Sequence, residues 1–114
     1  MNDLERRATT EALFRDVNER IAESAERFDA SATEFVCECA DANCTHKVSA
    51  SLADYEEVRD DPATFLVVPG HEQTDIERVV AERRSFRVVE KVQAAVRRTV
   101  LRLDPRARPA PSEP

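Results

Sequence analysis

The sequence predicts an α+β domain: a small, mostly antiparallel sheet accompanied by a long N-terminal helix, a short middle helix and a C-terminal helix. Apolar residues near both ends recur at three- and four-residue steps, the period of a helix buried along one stripe. The middle instead holds short runs that alternate in polarity or are rich in valine and phenylalanine, too brief for helices and suited to strands. At 114 residues the chain has room for one core, since a domain of this size buries only about two thirds of the surface its unfolded chain exposes.

Residues 1–30 read as one amphipathic helix. Leu13, Val17, Ile21, Ala25 and Phe28 fall on its apolar stripe, flanked by Phe14. Asn2 with Glu5 offers a capping box, and Thr10 a later start. Arg15, Asp16, Glu19, Arg20, Glu23 and Arg27 are expected on the solvent face. The stripe predicts a helix lying on the core. Its near-heptad spacing leaves open a second use, a homodimer formed through this helix.

Residues 31–92 are expected to form the compact α+β core. The helical signal stops between Asp29 and Thr33, and Glu34 to Cys39 then alternates with Phe35, Cys37 and Cys39 on one face, as a strand does. A polar link leads to Cys44, and Thr45 to Ala50 supplies a partner strand. Ser51 as N-cap with Asp54 three residues on starts the middle helix. Leu52, Tyr55 and Val58 form its stripe, and Asp60-Asp61-Pro62 ends it. Phe65-Leu66-Val67-Val68 predicts a buried strand. Val68-Pro69-Gly70-His71 has type II turn chemistry, with the only glycine of the chain where φ must be positive. Ile76 to Arg83 is ambiguous between helix and strand. Phe86 to Val92 reads as a strand, joined to it by a hairpin near Arg83-Arg84-Ser85.

Residues 93–104 form an Arg-rich helix. Val92, Val96, Val100 and Leu103 keep helical spacing, with Arg97, Arg98 and Arg102 opposite, and Asp104-Pro105 ends it. The Pro-rich tail 105–114 is expected to be disordered. There is no internal repeat.

Charge is segregated along the chain. Of 17 basic and 23 acidic residues, 7 basic and 19 acidic lie in residues 1–77, whereas 10 basic and 3 acidic lie in 78–108. Such poles attract each other within one fold, and we expect the basic segment to pack near the acidic one. A nucleic-acid contact through Arg97, Arg98 and Arg102 is the weaker alternative, because the net charge of −6 repels phosphate. Fifteen of the 17 basic residues are arginine, a bias that more often follows a GC-rich genome than selection for bidentate contacts. No apolar run approaches the roughly 20 residues that span a bilayer, and no basic-then-apolar leader is present, so a cytoplasmic protein is expected.

The chemistry concentrates in one cluster. All three cysteines lie within eight residues, Cys37-x-Cys39-x4-Cys44, with His46 two residues on and His71 after the Pro-Gly turn. Cys37 and Cys39 lie on one side of a strand about 7 Å apart at Cα, so their sulfurs can converge on one ion. Cys44 returns through the four-residue link. A fourth ligand from His71, or alternatively His46, would complete a tetrahedral site for one structural zinc ion. His71 is preferred because its turn holds the backbone rigidly, whereas Cys44-x-His46 leaves the loop little slack. Such a site contributes folding free energy of order 10 kcal/mol. The competing readings are redox-active thiols and inert packed thiols. An odd count in a cytoplasmic protein argues against a disulfide framework.

Enzymatic signals are sparse. A zinc hydrolase would need an open coordination position and a general base, for which Glu38 and Glu72 are the nominees. Neither a Ser-His-Asp set, a P-loop nor a dinucleotide motif is present. The expected function is a zinc-stabilised interaction or regulatory module without catalytic activity, engaging a protein partner. A thiol-based redox or metal sensor built on Cys37, Cys39 and Cys44 is the alternative.

Phe35-Val36-Cys37-Glu38-Cys39, then Cys44, the segment Leu52 to Arg59, Val68-Pro69-Gly70-His71-Glu72 and Val88-Val89-Glu90-Lys91, with the opening Glu11 to Ile21, carry a resemblance. Over residues 11–91 the chain resembles a family of small, uncharacterised actinobacterial proteins. The resemblance implies a shared three-cysteine cluster with the Pro-Gly-His turn, and no established activity. It also implies His71 as fourth ligand, since the position of His46 is usually not histidine in that pattern. The Arg-rich helix after Lys91 and the lack of glycine near Ser85 depart from it.

Overall fold

The computed structural model describes residues 1–28 and 31–106. In chain order these form α1 (Asp3–Arg27), β1 (Thr33–Val36), β2 (Lys47–Ala50), α2 (Leu52–Arg59), β3 (Thr64–Val67), β4 (Glu77–Glu82), β5 (Arg87–Lys91) and α3 (Ala94–Arg102). The architecture is α+β, with three helices and two small antiparallel sheets among the described residues. No helix among them is long and apolar enough to cross a membrane. Asp29, Ala30 and residues 107–114, which include most of the tail expected to be disordered, lie outside the described residues.

Local chemistry sets the helix starts. The Asn2 side chain accepts from the Glu5 N–H at 2.8 Å, so α1 begins at Asp3 and not at Thr10. Ser51 and Asp54 close a full capping box on α2, each side chain satisfying a backbone donor the helix cannot. α3 ends at Leu103, ahead of Asp104-Pro105.

The sheet comes in two pieces, not one. β1 and β2 pair with Phe35 opposite Val48, and the second sheet runs β3-β5-β4. The segment that is ambiguous in sequence is strand β4, with an irregular register between Val79 and Ala81. The hairpin closes where expected, through Arg83 N–H to Phe86 O at 2.8 Å. β3 is buried along its whole length, and its alternation feeds two cores. Phe65 and Val67 join Cys37, Cys39, Ile76, Val89, Val96 and Val100, whereas Leu66 joins Phe35, Val48, Tyr55 and Phe86. Within the second core the Phe35 and Tyr55 rings stack with centroids 4.6 Å apart, a contact worth about 1 kcal/mol beyond its buried area.

The inward face of α1 corrects the sequence reading. Leu13 is 61 % exposed and Val17 and Phe28 are also exposed, whereas Arg15, expected in solvent, is buried. The face that packs on the core carries Ala8, Ala12, Ala22 and Ala25 together with Glu11, Arg15 and Asn18. Alanines let the helix approach closely, and the polar members are tolerated because each meets a buried partner. Arg15 Nη2 reaches Glu38 Oε1 at 3.1 Å, and its guanidinium lies 3.6 Å from the Phe65 ring centre. On the same side Lys91 Nζ donates to Glu11 Oε2 at 2.6 Å and also to Glu77.

Ion pairs join the basic segment to the acidic one elsewhere too. Arg106 bridges Glu19 at 2.6 Å and Glu56 at 2.8 Å, so the first residues of the Pro-rich segment are anchored and not free. Arg59 pairs with the buried Asp104, closing α2 against the end of α3.

Two carboxylates sharing one ammonium leave a negative excess in the core, and Glu11 Oε1 has no hydrogen-bond partner. Burial pushes the Glu11 carboxyl up to about 7, against the pull of Lys91. Below that value the folded state holds a proton which the unfolded chain releases near 4.5, so stability falls as pH rises between the two. The expected loss is roughly 3 kcal/mol between pH 4.5 and above 7. Urea unfolding of the protein and of Glu11→Gln at both ends of this window checks it, the difference between the two proteins being the readout because the thiols titrate as well. A difference that does not change with pH would refute it.

Candidate metal centre

Each cysteine is placed by a separate local device. Cys37 continues the β1–β2 ladder by one rung, its N–H donating to His46 O at 3.1 Å. Glu38 then crosses to the open edge of β3: its N–H donates to Leu66 O at 2.9 Å, and its carboxylate accepts the Leu66 N–H at 3.1 Å. Alternation past Glu38 returns Cys39 to the side of Cys37, and both are buried. Cys44 closes a tight turn, donating to Asp41 O at 3.0 Å while Asn43 N–H binds Asp41 Oδ1 at 2.9 Å.

His71 arrives by the predicted turn. Its N–H donates to Val68 O at 2.9 Å, and Gly70 has φ of +95°, a conformation that a side chain at this position would strain. The Glu72 carboxylate secures the turn by accepting from Gly70 N–H at 2.9 Å and from Arg87 at 2.5 Å. The Val68 N–H donates to Cys37 Sγ at 3.2 Å, which both aligns that sulfur and favours its anionic form.

The four side chains converge. Ligand atoms of Cys37, Cys39, Cys44 and His71 all lie within 4.8 Å of one another, close enough to hold a metal ion. His71 Nδ1 stands 3.7 Å from Cys37 Sγ and 3.6 Å from Cys44 Sγ. A tetrahedral zinc site with ordinary bond lengths has S···N edges of about 3.5 Å and S···S edges of about 3.8 Å. All three cysteines are free, so no disulfide competes for the sulfurs. A hydrogen bond from the Cys37 thiol holds Cys39 down at about 5 despite its burial, whereas that same bond and burial push Cys37 up. Burial also pushes Cys44 up.

His46, the alternative ligand, falls outside this set. It is exposed, with Nδ1 3.7 Å from Cys44 Sγ and its ring edge-on to His71 at 4.7 Å between centroids. The two carboxylates nominated as general bases are both occupied. Glu38 is fully buried and accepts from Arg15, from Asn18 at 2.9 Å and from Leu66. Glu72 serves the Pro-Gly turn. A cleft of about 250 Å³ opens between Cys39, Asp41 and the 70–73 turn. Arg98 and Arg102 are exposed on α3, far from this chemistry in sequence, and Arg97 is half-buried, donating to Lys91 O at 3.2 Å.

Sequence reasoning missed the support beneath the ligands. Arg15 and Asn18 of α1 grip Glu38, and Asn18 also exchanges two hydrogen bonds with the Val36 backbone, at 2.8 and 2.9 Å. The available signal was the row of alanines at helical spacing, which marks the side of α1 that approaches another element closely.

Fold and site together define an α+β protein bearing a cluster of three cysteines and one histidine able to hold a metal ion. Comparison with protein-family models, with curated proteins and with solved structures returned no match.

Proposed function

We propose that the protein is a zinc-stabilised interaction or regulatory module without catalytic activity. The observation that carries the reading is the convergence of three sulfurs and one imidazole within 4.8 Å of one another, with His71 Nδ1 3.7 and 3.6 Å from two of the sulfurs. Thiolates and imidazole suit a borderline-soft ion, and four such donors close the coordination shell, which favours a structural role over a catalytic one. The engagement of Glu38 and Glu72 by their own partners supports the same conclusion, since neither is free to take a proton from a bound water. Reduced cysteines fit an intracellular setting. The interaction half of the reading rests on Leu13 and Val17, which α1 turns outward and not onto its own core.

A thiol-based sensor is the second reading, favoured by the low value of Cys39 beside the half-exposed Cys44. Elemental analysis of protein purified without chelator or affinity metal separates the two. One zinc per chain is expected, lost in His71→Ala and kept in His46→Ala. A metal-free parent protein would overturn the zinc reading and leave the thiols as redox groups.

A further inference from the structure

We propose that His46 is the ligand through which metal enters and leaves the centre, a role that rests on the metal reading above. Access to the cluster is uneven. Cys37 and Cys39 are buried, Cys44 and His71 are half-buried, and His46 is exposed. Two approaches from water therefore reach the cluster, the cleft beside Cys39 and the 70–73 turn and the Cys44–His46 corner, and only the second offers an exposed ligand atom beside a resident one.

The geometry makes that corner a working pair of ligands. His46 Nδ1 lies 3.7 Å from Cys44 Sγ, nearly the 3.6 Å separating that sulfur from His71 Nδ1. Either imidazole can thus share an ion with Cys44. The His46 backbone is fixed independently, because its carbonyl accepts the Cys37 N–H at 3.1 Å. The two rings meet edge to face, so a ligand exchange needs only a short shift of the ion.

During loading, the His46 Nδ1 lone pair binds the hydrated ion as one water leaves. Metal–sulfur bonds form as the thiols release their protons to solvent. His71 Nδ1 joins as the remaining waters leave, and Cys44 Sγ, its proton released to solvent, then takes the place of His46, which departs with its lone pair. Release runs the other way: a bond to His46 Nδ1 forms as the bond to Cys44 Sγ breaks, and the freed thiolate takes a proton from solvent. Three thiolates around a divalent ion carry one excess negative charge, and exchanging one for a neutral imidazole removes it. The passing arrangement of two sulfurs and two nitrogens is itself a stable set for zinc. His46 is not a fifth resident ligand, because closed zinc sites of this kind hold four. The centre so described is one that trades its ion with chelating acceptors and does not lock it in.

The experiment follows transfer of zinc from the loaded full-length chain to an excess of a chromophoric chelator, with cobalt(II) substitution reporting the resident ligands. His46→Phe keeps the ring's bulk against His71 but has no lone pair, and His46→Cys restores a ligand atom. His46→Phe is expected to bind one zinc and to give the unchanged cobalt spectrum, yet to transfer its ion about tenfold more slowly. His46→Cys should transfer at close to the parent rate. An unchanged rate in His46→Phe overturns the proposal, and so does an altered cobalt spectrum, which would make His46 a resident ligand. Absence of zinc from the parent chain would instead overturn the metal centre itself, so the two failures are told apart.

Discussion

Removal of the proposed zinc ion is expected to cost the protein its native fold around residues 37–46 and the 68–71 turn. Structural zinc contributes on the order of 10 kcal/mol, comparable to the whole stability of a typical domain, about 5–15 kcal/mol. Little else holds the knuckle. Asp41, Ala42, Asn43, Thr45 and His46 are all exposed, and the turn relies on the two hydrogen bonds to Asp41. Without the ion, Cys37 and Cys39 remain as small apolar groups in the first core, and Cys44 is tied to His71 only by the weak Sγ···Nδ1 contact of 3.6 Å. Melting followed by circular dichroism at buffered free zinc is the measurement. Each tenfold rise in free zinc above the dissociation constant should add about 1.4 kcal/mol to stability. A melting curve indifferent to zinc and to chelator would contradict the expectation.

The second large effect is expected at Glu38. Its carboxylate neutralises Arg15, accepts from Asn18 and completes the edge of β3 through the Leu66 N–H, all away from water. Glu38→Leu should lower stability by about 3–5 kcal/mol, because it strands a buried guanidinium and an unpaired backbone donor. It should weaken zinc binding as well, since Glu38 lies between two ligands and its side chain fixes the backbone that aims them. Arg15→Met combined with Glu38→Leu should recover part of the loss, because no isolated charge remains. Denaturant unfolding of the two single variants and the double variant reads the coupling. Additive losses would show that the ion pair is not what the site depends on.

Features governed by near neighbours were legible in the sequence. The N-terminal caps of α1 and α2, the type II turn and the short apolar strand read at residues 65–68 and found at 64–67 follow from three or four adjacent residues each, whereas the Gln93 cap of α3 went unread. The ligand cluster was legible for a similar reason: alternation puts Cys37 and Cys39 on one side, and a Pro-Gly turn aims His71. The inward face of α1 was not legible. Its polar members are buried only because Lys91 and Glu38 reach them from distant positions, and apolar spacing pointed to Leu13 and Val17 instead. The strand β4 was obscured differently. It sits at a sheet edge with its register broken, so Val79 and Val80 are both exposed and the two-residue period is lost.

The ties that hold α1 also set an order of assembly during synthesis. Glu11 waits for Lys91, 80 positions later, and Glu19, which first meets Tyr55 and Arg59, gains Arg106 only 87 positions later. The cluster of Cys37, Cys39, Cys44 and His71, by contrast, is complete once His71 has emerged. Contacts so remote in sequence form late, after the chain between them has been closed into loops. A nascent chain can therefore bring the three cysteines and His71 together while α1, already tied to Val36 and Glu38, still lacks the anchors supplied by Lys91 and Arg106.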